Sequence, residues 1–431
     1  MLQSLKNAWK DAELRKGMLF TIFIIVLYRI GAQIPIPYVD GAALAQTFSQ
    51  LGSQSMFQYF NLLSGDAFSR ATLFALSISP YITASIVIQL LTVALPPLEN
   101  LAKQGEEGRK KLTQITRYTT VALSLLTAYG YYTYLRYGQN FTGGTGFLTD
   151  AGKGFFPAIV IIACYCAGAS LIMWLGEKIN DHGIGNGISI ILLTNILASL
   201  VPQILSAFGQ GYEVIGIFAL IILAVIALAI VYAVIFLTDS ERRIPVQYAK
   251  RQVGRKLYGG HSTHLPIKLN MTGVMPIIFA SSIVTLPQTI AMFVPNFQQT
   301  GFYNFVTNRV FYAVLMFILI VAFAFFYVAI SFNPIEVSNN LKANGGVIPG
   351  IRPGKPTTDY IVKILNRVTL IGSLILGVIA VLPIAVSAIN PNFGVLTFSG
   401  SSTIIVVGVI LEVVQEIDSK LTMRHYKGFL D

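Results

Sequence analysis

Apolar residues gather along this chain into blocks of about 20, each long enough to cross a bilayer as a helix. Ten such blocks are readable, near 18–37, 71–95, 116–136, 155–175, 184–206, 214–237, 272–294, 309–332, 368–389 and 402–417. A shorter apolar piece precedes the second block, starting at Phe57 and meeting the breakers Ser64, Gly65 and Asp66. As a helix, Phe57 to Phe68 would rise only about 18 Å, against roughly 30 Å of hydrocarbon. A half-helix joined to a full span is tolerated at membrane depth only where protein or a water-filled cavity surrounds it. The second block is also unusually polar, with Ser77, Ser79, Thr83, Ser85, Gln89 and Thr92. The pattern predicts that residues 56–95 line a path through the membrane and block it.

Composition fits a chain folded in lipid. The 431 residues are 54% hydrophobic and only 11% charged, against about 25% charge in a soluble chain. The fold class predicted is therefore an all-α polytopic membrane protein with ten transmembrane helices. The net charge of +11 sorts by loop: one side holds 25 of the 30 lysines and arginines, the other only Arg70, Arg136, Lys153 and Arg309, with Arg29 inside the first block. That bias predicts both termini in the cytoplasm. Residues 1–17 read as a short amphipathic helix, and no cleavable signal sequence is visible. Two groups of five helices would enter the membrane in opposite senses, forming an inverted repeat with a pathway between the halves. The halves are predicted as 1–206 and 207–431, on the helix count alone.

Two cytoplasmic loops stand out. In 238–271, RRIPVQY and STHLPIKL alternate roughly and flank the basic stretch AKRQVGRKLYGG, which predicts a hairpin with a charged tip. In 333–367, FNPIEVSNNLKANGG predicts a short helix begun after Pro334 and stopped at Gly345, followed by breaker-rich VIPGIRPGKP and an amphipathic helix from about Thr358. Positive-inside topology needs only a few charges per loop, so ordered basic loops of this length point to docking of an anionic partner.

The missing chemistry narrows the function. His182, His261, His264 and His425 all lie in cytoplasmic loops or the tail, and Cys164 and Cys166, two positions apart on a helix, do not share a face. No metal site or disulfide is predicted from these groups. No GxSxG, HExxH or Gly-rich phosphate loop appears, and GIGNG at 183–187 lacks a phosphate-holding lysine and reads as a tight turn. Blocks three to nine carry no charge in their middle thirds, which disfavours an ion-coupled transporter. No cofactor is expected. The spans offer instead uncharged polar residues, among them Ser281, Ser282, Thr285 and Gln288, and apolar pairs one turn apart, Ile78 with Ile82 and Ile188 with Leu192. Hydroxyls can glue helices or make a wettable seam between them. With Ile278 and Ile405, the apolar pairs form ordinary packing or, as a ring, a constriction sealing by dewetting.

In SRATLFALSISPYITASIVIQLL, WLGEKINDHGIGNGISI, RRIPVQYAKRQVGRKLYGGHSTHLPIKLNMTGVMPIIFASS and GIRPGKPT the chain closely resembles the SecY family, channel subunits of the general protein translocase, in a Gram-positive, Bacillus-like form. The likeness extends over essentially the whole chain. It implies a clamshell of two pseudo-symmetric inverted five-helix halves around a central pore, with a re-entrant plug half-helix. The plug falls on Phe57, Phe60, Asn61, Leu62, Leu63, Ser64, Gly65 and Phe68. The pore ring falls on Ile78, Ile82, Ile188, Leu192, Ile278 and Ile405. The lateral gate, between the second and seventh spans, takes Gln89, Thr92, Ser281, Ser282 and Thr285. Docking falls on Arg243, Lys250, Arg251, Arg255, Lys256, Arg352 and Lys355. The partners implied are SecE and SecG subunits, the SecA motor ATPase, the ribosome, preproteins with signal sequences, and lipid. The implied role is a passive protein-conducting channel in the plasma membrane, not an enzyme.

Overall fold

A computed structural model describes residues 6, 8–50, 57–137, 147–214, 217–248, 251–253, 256–258, 262–293, 300–306, 308–389 and 394–427. In chain order the first helices are α1 (Ala12–Gly31), α2 (Gly41–Gln50), α3 (Phe57–Ser64), α4 (Ser79–Ala94) and α5 (Pro96–Lys103). Then come α6 (Glu106–Tyr137), α7 (Phe155–His182), α8 (Gly187–Val214) and α9 (Ile217–Asp239). Strands β1 (Glu241–Tyr248), β2 (Arg251–Val253), β3 (Lys256–Tyr258) and β4 (Ser262–Lys268) follow. The remainder is α10 (Met275–Val284), α11 (Leu286–Phe293), α12 (Gly301–Val306), α13 (Arg309–Ser331), α14 (Pro334–Ala343), β5 (Gly346–Val347), α15 (Lys355–Ile389) and α16 (Gly394–Lys427).

Each predicted apolar block lies on a helix, but the boundaries move where local chemistry overrides apolar content. Asp11 stops the amphipathic start and caps α1, its carboxylate accepting from the amides of Glu13 at 2.9 Å and Leu14 at 3.3 Å. The second block is the largest correction. Its helix does not begin at Ala71 but at Ser79, with Pro80 in the first turn. Residues 65–78 are turns, with positive φ at Gly65, Asp66, Ala71 and Ser77. Their backbone is satisfied by distant partners: the amide of Leu73 donates to the carbonyl of Ile34 at 2.9 Å, and Pro35 and Thr72 bridge. The seventh block likewise divides at Thr285 into α10 and α11.

Among the described residues, the stretches Phe155–His182, Val310–Ala343 and Lys355–Ala385 are long and apolar enough to cross a membrane unaided, and α4 with α5, bent by 99° at the break before Pro96, makes a fourth. The remaining apolar helices are shorter, divided or charged at their ends. They pack as a cluster. Helix α4 lies against α6 and α7, and α7 against α1, α6 and α8. On the other side α13 lies against α10 and α15, and α16 against α9 and α15. The two groups meet along α4–α10 and α6–α11 on one side, and where α8 touches α9 and α16 on the other. Helix α8 runs past the predicted boundary at 206 as far as Val214.

The two long basic loops match their predicted elements and add a link between them. Strands β1 and β4 pair antiparallel from Glu241 opposite Lys268 to Gln247 opposite Ser262. Asn333 caps α14, its side-chain oxygen accepting from the amides of Ile335 and Glu336. The amphipathic helix starts at Lys355 rather than Thr358. Strand β5 then pairs with β1, so both loops share one sheet over a core of Ile244, Val246, Ile267, Ile348 and Ile361.

The tight turn predicted at 183–187 lets α7 and α8 approach until only hydrogen fits at Gly187, where a Cβ would stand 1.9 Å from the carbonyl oxygen of Gly176. Gly187→Ala must push the two helices apart and is expected to destabilise the fold by about 1–3 kcal/mol. A lowered thermal unfolding midpoint of the detergent-solubilised variant is the readout; an unchanged midpoint refutes the close approach.

Candidate functional site

The six apolar ring positions come from four separate parts of the chain. Ile78 sits at the cap of α4 and Ile82 one turn along it. Ile188 and Leu192 are four apart on α8, while Ile278 lies in α10 and Ile405 in α16. Five of the six are buried, Ile188 is half-buried, and all belong to one apolar cluster. Ile82, Leu192, Ile278 and Ile405 face a cavity of about 160 Å³ that Phe60, Leu63 and Phe68 of the plug segment also line. Among the described residues no charged side chain lines this cavity. The space is mostly apolar and partly open, and the short helix forms part of its wall.

That helix, α3, packs on α8. Leu62 and Ser64 are fully buried beneath it, and Phe68 stacks between Phe60 and Tyr131. Ser64 donates to the carbonyl of Asn61 at 3.0 Å and accepts from the amide of Phe68 at 2.9 Å, which turns the chain sharply after the helix. Gly65 adopts φ of +64°, so the breaker predicted from sequence has a steric reason. Asn61 donates to Asp66 at 2.9 Å and accepts from the amide of Ser69 at 3.0 Å.

The seam is partly where the sequence pointed. Ser281, Ser282 and Thr285 line the cavity opposite Ser79 and Thr83 of α4. Gln89 and Thr92 lie farther along α4, half-buried and outside the cavity lining. Gln89 donates to Ser85 at 3.3 Å, and Thr92 to the carbonyl of Ile88 at 2.6 Å. Sequence reasoning missed Thr83 and the α6 residues Leu123, Leu126 and Thr127, which complete the wall. Thr83 stands in the same polar run as the residues singled out; nothing in α6 marked its three.

In the two basic loops, Arg243 is exposed on β1 and bonds Glu241 at 2.7 Å. Arg352 is exposed in the turn between Gly350 and Gly354, and Lys355 is exposed at the start of α15. Ser338, buried on α14, donates to the carbonyl of Gly354 at 3.1 Å, while Thr357 donates to the carbonyl of Arg352 at 2.9 Å. Lys250 and Arg255 lie outside the described residues, as do the side chains of Phe57, Arg251 and Lys256. Among the described residues no group of three metal-ligating side chains converges.

The family model "SecY" matches residues 72–414, and a protein translocase subunit SecY of Streptomyces coelicolor is 45% identical over the full length of both chains. This chain belongs to the SecY family. The Streptomyces relative is actinobacterial, which corrects the Bacillus-like expectation. A solved structure described as a protein conducting channel is similar over 94% of this chain and 92% of its own, with a TM-score of 0.66 at 17% identity. Sec61 from a canine ribosome-channel complex is similar over 94% of this chain and 92% of its own, with a TM-score of 0.62 at 16% identity. At these identities the likeness is one of fold: a polytopic helical channel fold embedded in the membrane. Membership in the SecY family makes the chain a translocase subunit and not an enzyme.

The buried Ser338 hydroxyl holds the turn that presents Arg352. Ser338→Ala removes one hydrogen bond of about 1 kcal/mol, and the 350–355 turn is expected to be cut faster by added protease in the folded protein. Equal cutting rates in variant and parent refute that role.

Proposed function

We propose that this chain conducts unfolded polypeptides across the plasma membrane and releases apolar segments sideways into lipid. The observation carrying the proposal is an uncharged cavity whose apolar walls come from helices of both groups and whose cap is a helix too short to span. A pore for every side-chain chemistry cannot contain selective charged sites, yet it must hold back ions. Apolar residues closing around the cavity do this without specific bonds. We assign Ile78, Ile82, Ile188, Leu192, Ile278 and Ile405 to the ring and the 57–68 segment to the plug. The seam α4–α10, lined by Thr83, Ser281, Ser282 and Thr285, is the lateral exit. The halves divide after α8.

The energy comes from outside the chain. A SecA-type motor or a ribosome, both with extensive acidic or phosphate surface, fits the basic sheet that β1, β4 and β5 build. Arg243, Arg352 and Lys355 are the exposed contact residues there. SecE and SecG are the companion subunits in this reading, and both termini lie in the cytoplasm.

Replacing Ile78, Ile82 or Ile278 with Asn puts a polar group where the closed ring offers no partner. Such a group costs the closed state about 1–3 kcal/mol, so resting ion conductance rises and preproteins with defective signal sequences are exported. Unaltered conductance together with unaltered export of those substrates removes the ring assignment. Arg352→Glu is expected to abolish motor-driven export while the protein remains folded and inserted. Export at the parental rate removes the docking assignment.

A further inference from the structure

The short helix over the cavity is not held by apolar contacts alone. The last carbonyls of a helix have no partner within it, and here other elements supply the donors. The carbonyl of Leu63 accepts from Ser77 at 2.8 Å and from the Asn195 amide at 2.8 Å. Asn195 also donates to Ser77 at 3.2 Å, and Ser199 donates to the carbonyl of Leu62 at 3.5 Å. Farther on, the Tyr131 hydroxyl donates to the carbonyl of Phe68 at 2.6 Å.

Each donor stands beside a residue of the ring or the seam. Ser77 directly precedes Ile78. Asn195 follows Leu192 by three positions on α8, so both lie on adjoining faces of one turn. Tyr131 belongs to α6, which supplies Leu123, Leu126 and Thr127 to the cavity wall. We propose that these bonds form a latch between plug and ring: when a chain widens the ring, the donors withdraw from the plug carbonyls and the plug is freed. The proposal rests on the channel reading above and assigns Asn195, Ser77 and Tyr131 as positioning residues for the plug.

The latch is built to be weak. Gly65 is enclosed so closely that a Cβ would stand 2.8 Å from Arg29 Nη1 and 3.0 Å from Asn195 Oδ1. Among the described residues both of those atoms are buried without a hydrogen-bond partner, and the buried Tyr28 hydroxyl lies beside Asn195 and Ser77. Buried polar groups left unpaired disfavour the state that buries them. The resting contact therefore combines a few directional bonds with unsatisfied neighbours that favour release. A fully satisfied network would hold the plug too firmly to yield when the ring widens.

The test uses the full-length chain, purified with its co-purifying subunits, carrying Phe60→Cys and Leu123→Cys, two positions lining the same cavity. A short bis-maleimide reports the resting plug by the yield of the bridge. Asn195→Leu, and separately the near-isosteric Tyr131→Phe, should each lower that yield about fivefold, the equivalent of one net hydrogen bond. A preprotein stalled in transit should lower it in the otherwise unaltered pair as well. Unchanged yields in both variants overturn the latch. A yield unaffected by a stalled preprotein overturns its coupling to the ring. If no preprotein enters proteoliposomes at all, the channel reading falls, while the variant yields still decide whether the bonds hold the plug.

Discussion

Every backbone amide and carbonyl at membrane depth needs a partner from the protein itself, and residues 65–78 make that demand where no helix meets it. The rest of the structure is arranged around this segment. Its carbonyls and amides are taken up by Ile34 and Ile36 across a short bridge, by the Ser64 hydroxyl and by Tyr131 from α6, while Asn195 from α8 donates to its Ser77 hydroxyl. These partners pin α1, α6 and α8 around one irregular stretch, and the ring residues follow from where those helices then stand. Ile78 closes the stretch and Leu192 faces it from α8, so the constriction forms at the place where regular structure stops.

Helical blocks were legible because crossing lipid demands both length and apolar content, and the ten runs display both. The irregular stretch was not, because Ala71 to Ile78 is mostly apolar and holds no glycine or proline to announce a break. Whether Ala71 to Ile78 is helical depends on acceptors 35 or more positions away, such as Ile34 for Leu73, which no local pattern displays. The same limit hid the pairing of β5 with β1, where two residues of one loop find a strand about 100 positions earlier. Ser64, Gly65 and Asp66 did announce their break, since a positive φ and a side-chain turn are local properties. In the site, the i,i+4 pairs Ile78–Ile82 and Ile188–Leu192 were readable as faces. Gln89 and Thr92 were assigned to the gate through the family resemblance, and they lie farther along α4 than the residues that line the cavity.

Closure by apolar contact has a consequence for reversibility. Dispersion between branched side chains is many-bodied and undirected, so a ring of isoleucines can part and re-form around shapes of any kind. A ring of paired charges would have to break specific bonds and leave desolvated ions behind each time. The absence of charge from the cavity lining among the described residues suits repeated opening, and exposed basic residues such as Arg242, Arg243 and Lys268 lie instead on the sheet of the two long loops.

The seam obeys a related rule through its hydroxyls. Thr83 donates to the carbonyl of Ser79, Ser281 and Ser282 to that of Ile278, and Thr285 to that of Ser282. Every one of these bonds lies within its own helix and none crosses between α4 and α10. Hydroxyls bonded across the seam would make parting costly, because each would be left unpaired in a water-poor space. Satisfied at home, they keep the facing surfaces small and wettable, yet lose nothing when the helices separate. Of the two roles the sequence left open, helix glue or wettable seam, this bonding fits the second: it lets two helices touch without being joined.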